Sequence, residues 1–435
     1  MCLCEVKTAQ GMLRGRKTDC GSVFYSIPYA APPTGSRRFA PPQPPEPYSG
    51  VRDATHPRTR PWMPDQPDGP CLREFYFDQR YFLPCDEDSL FVHVWTPARS
   101  GTEKLPVAVW IHGGAFVKGY GTEVETDGVG FCRRGVVFVS VEYRMGVMGF
   151  LCHPELAGEQ DGKCGNYGLL DQIAAIRWVR DNIAAFGGDP EHITLMGQSA
   201  GALSVQILSS SRLTEGLFRG AILQSGGGLH GPLSRFRTQA QAEETGERFL
   251  KSTGAGTLKT LRTMPARELV EIADRFCREE MQGKNFAPVI DGWLFKDSLD
   301  RLAQQGRLHD IPYLLGTNAD DLESDALSAS VIAFSENNIR LGRNPAYVYR
   351  FDCVPPDGEG DIYRGSYHSA ELWYVFETQE RSWRAYTARD RELARRMADH
   401  WCSFVSSGNP NAPGLDEWNP CHTAQDVKIF NKQQE

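Results

Sequence analysis

The sequence lacks any apolar run long enough to cross a membrane. Its two clearest apolar stretches, VVFVSV (136–141) and LPVAVWI (105–111), are far shorter than the about 20 residues that a spanning helix requires. The first residues, MCLCEVKTAQG, also lack the apolar core and the small-residue cleavage site of a secretory signal. We therefore expect a cytoplasmic protein without a membrane partner.

The sequence also has no concentrated positive charge and no dense cysteine framework. The formal net charge is −8, and arginine pairs such as Arg133-Arg134 are isolated. A nucleic-acid partner is therefore not expected, because it usually requires a basic stripe. The 12 cysteines form neither a CxxC pair nor a Cys/His zinc spacing, which indicates reduced thiols and no metal site.

What is present, after Leu105, is a regular alternation of strand and helix patterns. The segment GLLDQIAAIRWVRDNIAAFG has apolar residues at 173, 176, 179 and 183, the spacing of an amphipathic helix. The alternation predicts an α/β fold with a mostly parallel, doubly wound central sheet and helices on both faces, in a single domain over 1–435. The strand candidates are LPVAVWI, VVFVSVEYR, HITLM, GAILQS, IPYLLGTN, AYVYRFD and DVKIF.

A candidate nucleophile lies in Gly197-Gln198-Ser199-Ala200-Gly201, between the strand HITLM and the next predicted helix. A sharp strand-to-helix turn lifts a serine hydroxyl out of the backbone, and flanking glycines leave room around it. The N-terminus of the following helix favours developing negative charge. We predict that Ser199 is a nucleophile.

A candidate oxyanion hole follows LPVAVWI directly, at His112-Gly113-Gly114-Ala115-Phe116. Small residues at the end of a strand allow backbone N–H groups to converge on one point, as acyl transfer requires. Together with the serine motif, this turn predicts amide donors from Gly114, Ala115 and Ala200. His112 precedes the nucleophile and is interpreted as a positioning residue.

The general base and its acid are expected after Ser199, because this architecture orders them Ser, acid, His. His368 follows a strand and a polar loop, whereas His400 lies on a helix, at the surface or the core edge, and His309 directly precedes a strand. His230 and His422 also follow Ser199. The acid candidates, which all follow the strand IPYLLGTN, are Asp320, Asp321, Glu323 and Asp325.

A glycine-rich segment at 226–231 fits the GxGxxG pattern of dinucleotide sites. Such a site also requires an acidic residue at the end of the next strand, about twenty residues on. Glu243 and Glu244 stand there, but within a predicted helix. We therefore expect no dinucleotide cofactor.

With these residues in place, the chain resembles the carboxylesterase/cholinesterase family, the type-B carboxylesterases, and within it the bacterial para-nitrobenzyl-esterase-like branch. The resemblance runs nearly from end to end. The segments that carry it include IPYAAPPTGSRRF, EDSLFVHVWTP, IHGGAF, VEYRMGVMGF, GNYGLLDQIAAIRWVRDNIAAFGGDP, ITLMGQSAGA, AILQSG, LLGTNADD, YHSAELWYVF and FVSSGNPN.

The resemblance implies an α/β-hydrolase fold and a catalytic triad of Ser199, Asp321 and His368. The acid of the family's triad falls on the sixth residue counted from Gly316, which is Asp321. Glu323 is the alternative. The resemblance also implies an oxyanion hole at Gly114, Ala115 and Ala200, and a second serine, Ser225, beside the acid. The structural ion pairs of the family fall on Arg38–Glu87 and Arg144–Asp171.

Two positions and the length of one segment depart from the family pattern. Gln198 replaces the usual glutamate before the nucleophile, and Ser89 replaces a cysteine of secreted relatives, so their N-terminal disulfide cannot form. The stretch from Asp321 to His368 is shorter than in most members.

The implied function is hydrolysis of small-molecule carboxylic esters by two-step acyl transfer, with neither metal nor cofactor. Two alternatives to an esterase stay open. The first is a non-catalytic, cholinesterase-like binding protein, and the second is an amidase that uses the same triad.

Overall fold

A ten-stranded sheet runs through the computed structural model, which describes residues 3–65, 70–281, 286–356 and 363–432. The strands of the described residues are β1 (Glu5–Thr8), β2 (Gly11–Arg14), β3 (Arg16–Thr18), β4 (Gly21–Pro28), β5 (Val51–Asp53), β6 (Phe91–Thr96), β7 (Leu105–Ile111), β8 (Val137–Val141), β9 (Gly188–Gln198), β10 (Gly220–Gln224), β11 (Arg237–Thr238), β12 (Val289–Ile290), β13 (Tyr313–Asn318), β14 (Tyr347–Phe351) and β15 (Lys428–Phe430).

The order in the large sheet is β15-β14-β13-β10-β9-β7-β8-β6-β4-β3. Neighbours from β15 to β8 are parallel, and the pairs β8–β6, β6–β4 and β4–β3 are antiparallel. Strands β8 and β10 are buried throughout, and β7 and β9 are buried over residues 107–111 and 193–198, as expected for parallel strands that are covered on both faces. The sheet is therefore mostly parallel, as predicted, with an antiparallel edge.

Helices connect the parallel strands and cover the sheet. In the described part of the chain the α-helices are α1 (Pro70–Phe75), α2 (Val129–Cys132), α3 (Gly146–Phe150), α4 (Pro154–Glu159), α5 (Tyr167–Asn182), α6 (Ala200–Ser210), α7 (Gln239–Ser252), α8 (Leu258–Thr263), α9 (Ala266–Glu279), α10 (Leu299–Gln304), α11 (Ser324–Arg340), α12 (Leu372–Val375) and α13 (Ala388–Ser407). Short 3-10 helices lie at Gly35–Arg37, Gln79–Tyr81, Ile183–Phe186, Arg212–Thr214, Gln379–Arg381 and Ala424–Asp426.

The last long helix, α13, begins with a reciprocal capping pair. The Thr387 hydroxyl accepts a hydrogen bond from the Asp390 backbone, and the Asp390 side chain accepts one from the Thr387 backbone. This reciprocal pair is a capping box, which satisfies backbone donors that the first helical turn leaves unpaired. Met397 and Trp401 lie on the buried face of α13, which packs against the sheet.

Two buried ion pairs hold loops against this framework, at the expected positions. The Arg38 guanidinium donates to both carboxylate oxygens of Glu87, at 2.8 and 2.5 Å. Arg144 makes the same two-pronged contact with Asp171, at 2.7 Å for each bond. Paired contacts of this kind fix geometry as well as charge, so Arg144 ties the segment after β8 to α5.

No helix within the described ranges is both long and apolar enough to cross a bilayer. Nine of the described cysteines, from Cys20 to Cys421, carry free thiols, whereas Cys2 and Cys71 lie outside the residues whose side chains the structure describes.

Candidate active site

Ser199 lies in a sharp turn between the end of β9 and the start of α6. Its backbone has φ 54° and ψ −121°, a conformation that costs energy for a residue with a side chain. The neighbouring backbones are so close that a side chain at Gly201 would collide with the Ile111 carbonyl, and one at Gly197 with Gly201. The two flanking glycines therefore let the strained turn pack tightly, and the turn presents Ser199 at the carboxyl edge of the sheet.

The turn after β7 leaves backbone donors unused beside Ser199. Gly114, Ala115 and Phe116 all have positive φ, at 101°, 56° and 61°. Among the hydrogen bonds of the described residues, none uses the N–H of Gly114, Ala115 or Ala200 as a donor. Unused amide donors at a strand end and at a helix N-terminus form the kind of group that stabilises an oxyanion.

His112 supports this turn from behind. It is 1% exposed and stacks on Tyr143 with ring centroids 4.5 Å apart. Its Nδ1 lies 2.9 Å from the Gly113 carbonyl oxygen, and the Tyr143 hydroxyl donates to the His112 carbonyl. Burial lowers the pKa of His112, which favours the neutral ring. The contacts agree with the positioning role expected for it.

His368 and Asp321 lie in contact at the same edge of the sheet. His368 Nδ1 is 2.5 Å from Asp321 Oδ1. Asp321 follows β13, and its other oxygen accepts from the Asn318 backbone at 3.0 Å. Burial alone would raise the pKa of Asp321, but hydrogen bonds, first of all from His368, outweigh it and hold that pKa below its usual range. The aspartate therefore stays ionised beside the imidazole.

The other three acid candidates do not contact the imidazole. The Asp320 carboxylate accepts a hydrogen bond from the Ser366 backbone at 2.8 Å, and its own N–H donates to the Ser366 carbonyl. Asp320 thus fastens the loop that carries His368 to the loop that carries Asp321. Glu323 and Asp325 are exposed at the start of α11.

The other histidines after Ser199 lie elsewhere in the fold. His230 is exposed beside Asp300, and His309 contacts the Ser211 carbonyl. His400 is 0% exposed, and its ring contacts the Pro410 carbonyl at 2.8 Å. Its complete burial differs from the surface or core-edge position expected, because the loop after α13 folds back and covers it.

The glycine segment 226–231 forms a loop after β10, and Glu243 and Glu244 lie on α7.

Gln198 contacts the imidazole from the opposite side to Asp321. Its Nε2 lies 3.2 Å from His368 Nε2, and Gln198 is 3% exposed. No hydrogen bond joins Ser199 to His368 among the described residues, and in this state His368 Nε2 is in contact with the amide of Gln198. Catalytic hydrogen bonds commonly tighten only once a substrate is bound.

A buried carboxyl, that of Glu371, lies near Asp321 and His368, and the sequence did not predict it. It is 0% exposed and accepts hydrogen bonds from Asn318 at 2.6 Å and Gln224 at 3.3 Å. Burial, with the nearby charge of Asp321, raises the pKa of Glu371 to about 7. The only available signal was its position, three residues after His368, and an acidic residue on a short helix is ordinarily a solvated one.

A cavity of about 260 Å³ joins these groups. Gly114, Ala115, Ser199 and His368 line one side of it. The rest of its wall mixes apolar and acidic side chains, among them Phe75, Tyr76, Trp110, Glu123, Glu125 and Leu372. Burial raises the pKa of Glu123 to about 7 and also raises that of Glu125. Because Ser199, His368, Gly114 and Ala115 share this cavity, a substrate in it would touch the serine, the histidine and unused amides together.

The described residues contain no group of three or more His, Cys, Asp or Glu side chains placed to hold a metal ion.

Ser225, which is expected beside the acid of the triad, does lie near Asp321 and contributes to the lowered pKa of Asp321. Its hydroxyl has no hydrogen bond of good geometry to any described residue.

Comparison with known proteins identifies the family. The model of the carboxylesterase family matches residues 4–340 and 321–435. The chain belongs to this family. Its two matched stretches overlap over residues 321–340, which include α11, within the segment that is expected to be short. The chain is therefore a carboxylic ester hydrolase.

Individual relatives agree over almost the whole length. The fumonisin B1 esterase of Sphingopyxis macrogoltabida is 31% identical, over 98% of this chain and 86% of the relative. The para-nitrobenzyl esterase of Bacillus subtilis (strain 168) is also 31% identical, over 96% of this chain and 92% of the relative. These matches place this carboxylesterase in the para-nitrobenzyl-esterase-like branch.

Solved structures give the same answer for the fold. A para-nitrobenzyl esterase structure superposes with a TM-score of 0.85 at 29% identity, over 98% of this chain and 96% of that one. A carboxylesterase of Geobacillus stearothermophilus gives a TM-score of 0.83 at 31% identity, over 99% and 96%. The predicted α/β-hydrolase fold is confirmed.

Proposed function

We propose that this carboxylesterase hydrolyses small-molecule esters through a covalent acyl-enzyme on Ser199. The single observation that carries the proposal is the contact between His368 Nδ1 and Asp321 Oδ1 at 2.5 Å, because His368 also lines the cavity that Ser199 lines. A serine hydroxyl is a weak nucleophile at neutral pH, so it requires a base that is itself held in one orientation.

In the first step, His368 Nε2 takes the Ser199 proton while the hydroxyl oxygen attacks the ester carbonyl. Asp321 accepts the hydrogen bond from Nδ1, which fixes the tautomer and stabilises the imidazolium that forms. The N–H groups of Gly114, Ala115 and Ala200 bind the negative oxygen of the tetrahedral intermediate. His368 then donates its proton to the departing alcohol.

Water completes the cycle. His368 removes a proton from a water molecule that attacks the acyl-enzyme, the same amides bind the second intermediate, and Ser199 leaves with the proton returned to it. For His368 to take the serine proton, the amide of Gln198 must give up its present contact with Nε2. The step needs no group beyond these side chains and backbone amides.

The leaving group decides between an esterase and an amidase. We expect rapid hydrolysis of para-nitrophenyl butyrate and much slower hydrolysis of the matching para-nitroanilide. Ser199→Ala and His368→Ala should each reduce the ester rate by about 10⁴–10⁶-fold, while His230→Ala, at an exposed histidine, should leave it unchanged. Faster cleavage of the anilide would favour the amidase. No hydrolysis of either compound by folded protein would favour the binding protein.

A further inference from the structure

Two cysteine sulfurs lie in contact away from the candidate active site. The Sγ atoms of Cys152 and Cys164 are 3.0 Å apart. The two residues are 1% and 4% exposed, and both thiols are free. Since a disulfide bond is about 2.05 Å long, closing the gap requires a shift of only about 1 Å.

The backbone is built to hold these two residues together. Gly165, next to Cys164, has φ 86°, and a Cβ added to it would lie 2.5 Å from Cys152 Sγ. On the other side, a side chain at Gly246 on α7 would collide with the Cys152 carbonyl. Cys152 is thus enclosed by two glycines, so the sulfur contact does not depend on a flexible side chain alone.

The two cysteines differ in their access to a surface cavity. Cys164 lines a surface cavity of about 230 Å³, together with Gln160, Lys163 and Trp293. Cys152 does not line that cavity. The hydrogen bond with Cys164, followed by burial, raises the pKa of the Cys152 thiol well above its usual range, so Cys164 is the thiol placed to react first.

We propose that Cys152 and Cys164 form an intramolecular disulfide by exchange with a small-molecule disulfide such as oxidised glutathione. The Cys164 thiolate attacks one sulfur of the reagent and releases one glutathione thiolate, leaving a mixed disulfide. Cys152 then loses its proton and attacks the Cys164 sulfur, which releases the second glutathione. The protein loses two protons and two electrons, and the reagent is reduced to two thiols.

The bond would join the end of α3 to the segment that leads into α5. Helix α3 itself contacts the turn after β7, because the Gly146 N–H donates to the Phe116 carbonyl. The proposal itself does not rest on the proposed esterase function, since the bond is read from mass and peptide mapping.

The test uses the full chain, fully reduced and then incubated with oxidised glutathione before alkylation under denaturing conditions. We expect Cys152 and Cys164 both to escape alkylation, and we expect a peptide that links them and is about 2 Da lighter than the two thiol peptides together. In Cys152→Ser, Cys164 should retain one glutathionyl group. In Cys164→Ser, no cross-link and no adduct at Cys152 should form, while Cys277→Ser, at a buried cysteine outside the pair, should cross-link as the wild type does.

Another pair provides the contrary outcome. Cys20 is half-buried, and a hydrogen bond with Cys132 lowers the pKa of Cys20 to about 6, so this thiol is the more reactive one in solution. A linked Cys20–Cys132 peptide with Cys152 and Cys164 both alkylated would overturn the proposal. So would wild-type protein that carries glutathione on Cys164 without closing the bond.

Discussion

His368 and Asp321 are joined by a bond of 2.5 Å, although 46 residues lie between them. The contact depends on Asp320, whose carboxylate and N–H both bind Ser366 and hold the two loops side by side. In the proposed mechanism these adjacent aspartates have different tasks, because Asp321 orients the imidazole and Asp320 positions the loop that carries it.

The first prediction concerns the choice of acid. Asp321→Asn should lower kcat for para-nitrophenyl butyrate by about 10⁴-fold, because the imidazole then adopts the wrong tautomer. The matched changes Glu323→Gln and Asp325→Asn should each leave kcat within about twofold, since both side chains are exposed. A collapse of activity in Glu323→Gln, with Asp321→Asn nearly as active as wild type, would assign the acid to Glu323.

The second prediction concerns Gln198. Replacing it with glutamate places a negative charge 3.2 Å or so from His368 Nε2, which favours the protonated imidazole. The acidic limb of the kcat/KM profile should therefore move to higher pH by about one unit. Gln425→Glu, at an exposed site, should leave the profile unchanged. An unshifted profile in Gln198→Glu would show that the side chain does not face the imidazole during catalysis.

The third prediction concerns Arg38. Its side chain is 6% exposed, and its guanidinium also donates to the carbonyls of Leu261 and Met264. Arg38→Ala leaves the largely buried side chain of Glu87 without its partner, and loss of one partner of a buried pair typically costs about 3–5 kcal/mol in the free energy of unfolding. Arg14→Ala removes an exposed pair with Glu5 and should cost no more than about 1 kcal/mol. Equal denaturation midpoints for the two variants would contradict a structural role for Arg38.

The fourth prediction uses the raised pKa of Glu371. The carboxyl binds its proton more tightly in the folded state, so the stability that this proton confers is present below about pH 4.5 and is lost as the pH rises towards 7. Glu371→Gln, which cannot ionise, should be spared this loss. Its free energy of unfolding relative to wild type should rise by up to about 3 kcal/mol between pH 5 and pH 8.

Denaturant titrations at the two pH values measure this difference, with Glu244→Gln on the exposed face of α7 as the control. A difference between Glu371→Gln and wild type that does not change with pH would show that the Glu371 carboxyl is hydrated or paired with a cation.

The parts that sequence reasoning reached are those encoded locally. Apolar runs predicted the buried strands β7 to β10, and Ser199 stands in a strand–turn–helix whose glycines are visible in the chain. The capping box of Thr387 and Asp390 at the start of α13 is local in the same way, because it involves residues three apart. Choosing Asp321 among four neighbouring carboxylates required the family resemblance, since spacing alone left all of them open.

The parts that it missed depend on contacts between distant segments. The bonds of Glu371 come from Asn318 and Gln224, on two other strands. His400 is covered by the loop that carries Pro410 and not by its own helix. The contact of Gln198 with His368 spans 170 positions. In each case the burial of a polar side chain is set by packing, which residue type and periodicity do not reveal.

The central claim is that Ser199 carries the acyl group, and trapping tests it most directly. The wild-type chain is incubated with a fluorophosphonate, which reacts with an activated serine, and the labelled peptide is sequenced by mass spectrometry. We predict one label per chain, on Ser199, with ester hydrolysis lost in step with labelling. The matched Ser204→Ala variant, at a buried serine on α6, should label as the wild type does, and Ser199→Ala should not label. A label on another residue, or Ser199→Ala protein that keeps more than a few per cent of wild-type turnover, would contradict the account.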